Sequence, residues 1–156
     1  MEQYDTNNIF YQKDNLATWK EDRYKPCDFL KAVIKEYMIL ECSENTVLET
    51  LPSNSFSLNY ILKGKVQLSL TDGSKVDIPK AVSFGITQKF FRFTFSEFAK
   101  LFVVIFNPGF ASTIIEKPLN EFFEKFIPID EFFDKQTNLT MIERLKMQRS
   151  HQEMVD

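Results

Sequence analysis

Short apolar runs separated by turn residues fill the segment from Val33 to Asn107, and they constrain the fold more than any other feature. In "SFSLNYILKGKVQLSL", which begins at Ser55, apolar and polar residues alternate with the period of two that is typical of a strand. We expect a half-buried strand before the glycine turn at Gly64. The Asp-Gly pair that follows, at Asp72, is typical of hairpin turns, so the two adjacent hairpins are expected to form a meander. Because about seven such runs occur without a helical period between them, the sequence predicts an antiparallel sandwich or barrel.

The run Leu101–Phe106 is apolar at every position and is followed by Asn-Pro-Gly. A strand that is apolar on both faces must be covered on both, so we expect the barrel interior on one side and a helix on the other. Pro108 lacks the N–H group that would continue a ladder, and Gly109 tolerates turn conformations. The sequence therefore predicts a sharp reversal here, with a short helix starting in "FASTII".

The period becomes helical after Asn107. The segment "PLNEFFEKF", which begins at Pro118, spaces its apolar residues as on one helix face and predicts an amphipathic helix that covers a sheet. Further on, Thr140 and Glu143 have the spacing of a capping box, which predicts a helix from about Met141. No C-cap residue precedes the end at Asp156, so this helix is expected to be a connector.

Charge and cysteine content exclude several classes of protein. The net charge of −3 and pI near 5.3 provide no basic surface for a nucleic-acid backbone. Cys27 and Cys42 are too far apart for a CxxC pair, and we interpret them as free thiols. The first 19 residues lack the pattern of a signal peptide, and no apolar run is long enough to span a bilayer. We therefore expect a soluble, cytoplasmic protein with no membrane partner.

The residues available for catalysis are few. Metal-dependent barrel enzymes use several histidines from facing strands, whereas this chain has only His151, which lies outside the strands and is interpreted as a solvated helix residue. The same count excludes serine triads and Cys-His pairs within the barrel. No glycine-rich phosphate loop occurs, and the acidic residues near turns show no meaningful spacing. We expect no catalytic residue, no metal and no cofactor.

Aromatic residues with a few polar neighbours in the strands are the candidates for a small-ligand pocket. The alternative is that Tyr60 and Phe93 fill the core and that Arg92 is an exposed strand residue. Trp19, in an irregular N-terminal arm, could close the mouth of the barrel or pack against the side of the barrel. The candidates for ligand binding are Asn59, Tyr60, Phe84, Arg92 and Phe93 in the strands, and Trp19 in the arm.

The predicted C-terminal helix begins with a short apolar stripe. Met141, Ile142 and Leu145 form it, and an apolar stripe needs a partner that buries it. Two alternatives are open: a dimerisation seam or packing against the chain's own barrel.

The segment "FVVIFNPGFASTIIEKPLNEFFEKFIPIDEFF", from Phe102 to Phe133, resembles the end of the N-terminal domain of AraC-type transcription regulators. In a large branch of that family a strand ends in an F-x-P-G turn, a proline opens a later helix, and an I/V-P-L/I-D segment follows. The matching residues here are Phe106, Pro108, Gly109, Pro118 and Ile127–Asp130. The hairpin sequences upstream are also similar, so the resemblance covers roughly residues 35–150.

The resemblance implies a mainly β fold with C-terminal helices: a cupin-like antiparallel barrel or jelly roll followed by two or three helices. It implies an N-terminal arm over residues 1–32, a barrel with packed helices over 33–136, and the start of a connector or dimerisation helix over 137–156. The implied function is regulatory and non-catalytic, by ligand sensing, dimerisation or both. The implied partners are a small-molecule effector, a second copy of the chain, and DNA only through a C-terminal domain that this sequence does not include.

Two alternatives to this function follow from the residues. The chain could be a metal-free, cupin-like enzyme of the isomerase type, which would need a buried ionisable residue inside the barrel. It could also be a dimerisation domain with a filled barrel and no ligand.

Overall fold

The computed structural model of the protein describes residues 10–12, 18–115 and 118–156. Strands are numbered β1–β11 and helices α1–α3, and two short 3₁₀ helices lie at Leu119–Phe122 and Ile129–Glu131. The elements are β1 Phe10–Gln12, β2 Trp19–Tyr24, β3 Ile34–Cys42, β4 Thr46–Thr50, β5 Ser57–Lys63, β6 Val66–Ser69, β7 Lys75–Asp77, β8 Ala81–Phe84, β9 Phe91–Phe95, β10 Ala99–Phe106, α1 Ala111–Ile115, β11 Phe126–Pro128, α2 Lys135–Met147 and α3 His151–Val155.

The strands of the described residues form two antiparallel sheets. One has the order β1-β4-β9-β6-β7 and the other the order β11-β8-β5-β10-β3-β2. From β3 to β10 the first strand pairs with the last, the second with the penultimate, and the chain passes between the sheets as in two Greek keys. This is jelly-roll topology, with helices after the last barrel strand. The predicted fold class is confirmed.

Strand β10 separates two hydrophobic cores. Leu101, Val103 and Ile105 face the inner core, which lies between the sheets, whereas Phe102 and Phe106 face the outer core, which lies between the six-stranded sheet and the C-terminal segment. The expectation that this strand is covered on both faces is confirmed. The inner core also contains Met38, Leu40, Cys42, Leu48, Ile61, Val66, Leu68, Phe93, Phe95 and Ala99; the outer core also contains Tyr37, Ile39, Phe56, Leu58, Tyr60, Leu62, Ala111, Phe122, Ile129, Ile142 and Leu145.

The reversal after β10 has the predicted form. Gly109 has a φ of +87°, a conformation that glycine adopts without a steric penalty, and α1 begins two residues later. The Asn107 side chain fixes the turn: its Nδ2 donates hydrogen bonds to the carbonyl oxygens of Lys31 at 2.8 Å and Ala32 at 3.1 Å. The turn is therefore tied to the segment that leads into β3.

Strand β5 does not form the predicted meander with β6. The pattern predicted a half-buried strand, but Leu58 and Tyr60 pack in the outer core while Ile61 packs in the inner core. A strand covered on both faces must lie in the sheet between the two cores. β6 is buried on one face and pairs with β7 and β9 in the other sheet. Only the β6–β7 hairpin, at the Asp-Gly turn, matches the prediction.

The prediction of a helix from Pro118 is wrong. Leu119–Phe122 is a single 3₁₀ turn, and Phe126–Pro128 is strand β11, which pairs with β8. The start predicted for the later helix is also wrong, because α2 begins at Lys135. The Asp134 side chain caps it by accepting a hydrogen bond from the backbone N–H of Thr137 at 2.9 Å.

Part of the predicted N-terminal arm is regular structure. Residues 19–24 form β2, which pairs along its whole length with β3 at one end of the six-stranded sheet. Charged residues occupy much of this strand, which hides the period of two. The arm residues 1–9 and 13–17 lie outside the described residues. Within the part of the chain that the structure describes, no helix has the length and apolar character needed to cross a bilayer.

Gly85 provides a test of the contact between β8 and the C-terminal segment. A Cβ atom at this position would lie 1.8 Å from the carbonyl oxygen of Phe122, so the backbone would have to move apart. We expect Gly85→Ala to lower the free energy of unfolding by about 3 kcal/mol. Gly73→Ala is the matched control: its φ of +84° makes alanine unfavourable by about 1 kcal/mol, but nothing lies within 4 Å. Equal urea midpoints for the two variants would contradict this packing.

The two cysteines provide a second test. Cys27 is exposed, whereas burial of Cys42 in the inner core raises the pKa of its thiol to about 12. Since the thiolate is the reactive species, we expect a maleimide at neutral pH to modify only Cys27 in the folded protein and both thiols in denaturant. Mass spectrometry of tryptic peptides measures this, with Cys27→Ser as the control that should remain unlabelled. Rapid labelling of Cys42 under native conditions would be inconsistent with the fold.

Candidate functional site

Four phenylalanine rings cluster beside the aliphatic side chains of the inner core. The rings of Phe84 and Phe126 stack with centroids 4.4 Å apart, and Phe91 and Phe93 meet both rings edge-on. The remaining cavity has a volume of about 40 Å³. This is room for about one water molecule. The lining residues are Thr50, Asn59, Ile61, Val66, Ile78, Val82, Phe84, Phe93, Phe95, Leu101 and Phe126.

The residues predicted to bind a ligand do not come together in one pocket. Asn59, Phe84 and Phe93 line the interior cavity. Tyr60 faces the outer core, because consecutive strand residues point to opposite faces. Arg92 lies outside the five-stranded sheet, where its Nε and Nη2 donate to Glu49 Oε1 at 2.9 and 2.6 Å.

Trp19 is the sixth predicted ligand-binding residue. Its side chain is partly buried and packs against the inner core from the end of β2.

A larger space lies on the opposite face of the six-stranded sheet. It is a groove of about 490 Å³ between that sheet and helices α2 and α3, and is here named the sheet–helix groove. Its walls are mostly apolar, and the two helices supply one side of it. The lining residues are Ile34, Tyr37, Leu58, Tyr60, Phe102, Val104, Phe106, Phe133, Thr137, Asn138, Met141, Leu145, Met154, Val155 and Asp156.

Two tyrosines form the polar part of the groove's sheet side. Tyr37 and Tyr60 are 8% and 6% exposed, and burial raises the pKa of both hydroxyls, so both are protonated at neutral pH. The ring of Phe102 stacks on that of Tyr37 at 5.7 Å, and its backbone pairs with that of Tyr60. On the helix side, Asn138 donates a hydrogen bond to Asp130 at 2.8 Å.

The apolar stripe of α2 packs against its own barrel. Ile142 and Leu145 are buried in the outer core, so they are not available as an exposed dimerisation seam. Met141 is 45% exposed and lines the sheet–helix groove. The burying partner is thus the outer face of the six-stranded sheet.

His151 fixes the terminal helix to the sheet through a polar cluster that the sequence analysis did not find. The Lys100 ammonium can only donate, so its 2.9 Å contact with Nε2 makes that nitrogen the acceptor, and Nδ1–H donates to Asp22 at 3.0 Å. Lys100 also pairs with Glu41 at 3.0 Å. The interpretation of His151 as a solvated residue is therefore wrong: its side chain is only 21% exposed.

The cluster also sets the charge state of its carboxylates. The hydrogen bond and charge of Lys20, with a further contribution from His151, hold the pKa of Asp22 below its ordinary value. The hydrogen bond from Lys100 does the same for the pKa of Glu41. Because His151 lies 129 residues from Asp22 in the sequence, no local pattern could reveal this contact.

A second group of charges lies at the edge of the barrel interior. The Arg23 guanidinium contacts Glu21 and donates from Nη1 to Glu36 at 2.6 Å. Glu36 is buried on the same face of β3 as Met38. Paired charges therefore accompany the phenylalanines on the inner face. Among the described residues, no group of three His, Cys, Asp or Glu side chains could hold a metal ion.

The fold and its sites define a jelly-roll barrel with helices packed on one sheet, which is the architecture of cupin-like domains. Residues 22–128 match the family described as Domain of unknown function (DUF6597), and the chain belongs to that family. No curated protein sequence matches the chain.

Several solved structures share the fold at low sequence identity. The Cupin_2 domain of an XRE family transcriptional regulator from Enterobacter cloacae is 14% identical with a TM-score of 0.45, over 58% of this chain and 97% of that one. The EutQ protein of Clostridium difficile is 15% identical with a TM-score of 0.48, over 66% and 72% of the two chains. Ectoine synthase from P. lautus is 13% identical with a TM-score of 0.44, over 75% and 79%. At these identities the similarity concerns the fold alone.

We expect acid to weaken the attachment of the terminal helix. Because the folded-state pKa values of Asp22 and Glu41 are lowered, their contribution to stability is complete above about pH 5 and is lost as the pH falls through those folded-state values. Asp22→Asn should therefore reduce the loss of stability between neutral and acidic pH, as measured by urea midpoints. Asp77→Asn, on exposed strand β7, is the control. An unchanged pH profile in Asp22→Asn would contradict the role of this cluster.

Proposed function

We propose that this chain is a non-catalytic regulatory domain that senses a small molecule, forms a dimer, or does both, as the N-terminal domains of AraC-type transcription regulators do. The observation that carries the proposal is the position of α2 and α3, which form one wall of the sheet–helix groove. A molecule in that groove contacts the barrel and the C-terminal helices together. Its binding is therefore coupled to how those helices are presented.

The barrel interior supports a non-catalytic role. With only about 40 Å³ of free volume among phenylalanine rings, it has no room for a substrate. The only histidine of the sequence lies in α3 and holds that helix on the sheet. Its hydrogen bonds to Asp22 and Lys100 serve the attachment of the helix.

The proposed mechanism is a shift between two positions of the C-terminal helices. An effector changes such an equilibrium only by binding one position more tightly than the other. The docked position has the His151 contacts and the burial of Ile142 and Leu145 in its favour. In this proposal the domain acts in the cytoplasm, and DNA is contacted only by a further domain attached after Asp156.

A metal-free enzyme of the isomerase type is the second candidate, and the buried Glu36 on the inner face favours it. A catalytic base needs an accessible lone pair and space for its substrate. Glu36 is instead paired with Arg23, and the adjacent interior is filled. Turnover of any metabolite that disappears in Glu36→Gln, but not in Glu49→Gln on the outer face, would favour the enzyme.

Dimerisation can be tested by measuring the mass of the protein in solution and by a repression assay with a fusion protein. We expect sedimentation equilibrium to show concentration-dependent formation of a species of twice 18.4 kDa. Fused ahead of the DNA-binding domain of a repressor that acts only as a dimer, the chain should restore repression, whereas that domain alone should not. A strictly monomeric chain that fails to restore repression would rule out the dimerising form of the proposal.

A further inference from the structure

The spaces in the described part of the barrel domain differ in what they can hold. Ligand sites for small molecules have volumes of roughly 300–1,000 Å³. The sheet–helix groove, at about 490 Å³, and a space of about 470 Å³ beside Arg92, outside the five-stranded sheet, lie within this range, while the interior cavity, at about 40 Å³, is far below it. Buried residues line the groove, whereas every residue that lines the space beside Arg92 is exposed or half-buried. Size and burial together therefore favour the outer face of the six-stranded sheet as a ligand site.

The groove contains hydrogen-bonding groups that the protein leaves unused. The hydroxyls of Tyr37 and Tyr60 have no hydrogen-bond partner among the described residues. Neither oxygen is a fully buried unpaired atom, so both reach the space of the groove, although each tyrosine is more than nine-tenths buried. A ligand oxygen that accepts a hydrogen bond from one of them takes the place of a water molecule.

The arrangement of the two hydroxyls favours a ring. Tyr37 and Tyr60 lie on the strands that flank β10, with Phe102 between them. Phe102 pairs with Tyr60 across the strands and stacks on the ring of Tyr37. This gives an aromatic surface with a hydroxyl-bearing residue on each side, on which a flat molecule can lie.

The charge of the walls selects against anions. Among the groove residues that the structure describes there is no lysine, arginine or histidine, and the one charged residue is the acidic Asp156. An anion in an apolar site without a counter-charge is strongly disfavoured by its lost hydration. The expected occupant is therefore uncharged.

We infer that the sheet–helix groove binds an uncharged aromatic molecule that carries a hydrogen-bond acceptor, such as an aryl ketone. The site itself follows from the geometry; its role as the effector site rests on the proposed regulatory function. The bound ring contacts β3, β5 and β10 on one side and α2 and α3 on the other. Binding therefore stabilises the docked position of the helices.

The neutral naphthyl ketone Prodan is a suitable probe, since its fluorescence reports both binding and hydrogen bonding at its carbonyl. We expect saturable one-to-one binding. Val104→Trp, which places a ring in the groove, should weaken binding by about tenfold or more, a change of about 1.4 kcal/mol. The matched control Val76→Trp, on exposed strand β7, should bind as the unmodified chain does.

A second groove variant keeps the test valid if Val104→Trp does not fold correctly. Met141→Trp approaches from the half-exposed helix side, so it should weaken Prodan binding even if Val104→Trp disturbs the sheet. Absence of saturable binding to the unmodified chain, or binding unaffected by both variants, would overturn the site. A groove filled by a second copy would also overturn it; Val104→Trp would then dissociate a dimer to which Prodan does not bind.

The chemical class of the ligand is tested separately. Tyr37→Phe and Tyr60→Phe remove only the hydroxyls, and at least one should weaken Prodan binding several-fold and shift its emission to the blue, as expected for a lost hydrogen bond. The anionic probe 1-anilinonaphthalene-8-sulfonate should bind more weakly than Prodan. Equal or tighter binding of the anion, or no effect of either phenylalanine substitution, would contradict the proposed chemistry.

Proteolysis separates the site from its regulatory role. Arg149 lies between α2 and α3, where trypsin can cut when the terminal helix leaves the sheet. We expect Prodan to slow this cleavage in the unmodified chain and not in Val104→Trp. Prodan binding without protection would retain the site but contradict the coupling on which the regulatory proposal depends.

Discussion

The burial of β10 on both faces is the constraint on which the rest of the structure depends. Its Leu101, Val103 and Ile105 side chains require a second sheet, and its Phe102 and Phe106 side chains require a helical cover. A two-layer sandwich alone would leave the second set in water. The C-terminal helices are therefore part of the fold, and the polar contacts of His151 only fix where the last of them lies.

The sequence was informative where structure is decided locally. The period of two and the turn residues identified the antiparallel class, and Asn-Pro-Gly identified the reversal after β10. The helix predicted from Pro118 does not form, because Phe122 packs against Phe56 and Phe132. Its ring centroid lies 5.4 Å from that of Phe56 and 5.3 Å from that of Phe132. The spacing in this segment imitates a helix face, but tertiary contacts decide its conformation. The start of α2 was missed because Asp134 is as good a cap as Thr140.

The candidate sites were harder to predict, since they depend on which face of a strand each residue occupies. Asn59 and Tyr60 are neighbours in sequence, yet they line different spaces on opposite sides of one sheet. Phe84 and Phe93 line the small interior cavity together with Asn59, because all three face the barrel interior. The groove could not be inferred, because it exists only once α2 and α3 are placed over Tyr37 and Phe102.

Strand β2 has a consequence for how copies of this chain can associate. It is the last strand in its sheet among the described residues, and it carries Lys20, Glu21, Asp22 and Arg23 in succession, engaged in ion pairs. A second chain adding to this edge would have to dehydrate the more exposed of these charges, Lys20 and Asp22, which disfavours growth of the six-stranded sheet at this edge.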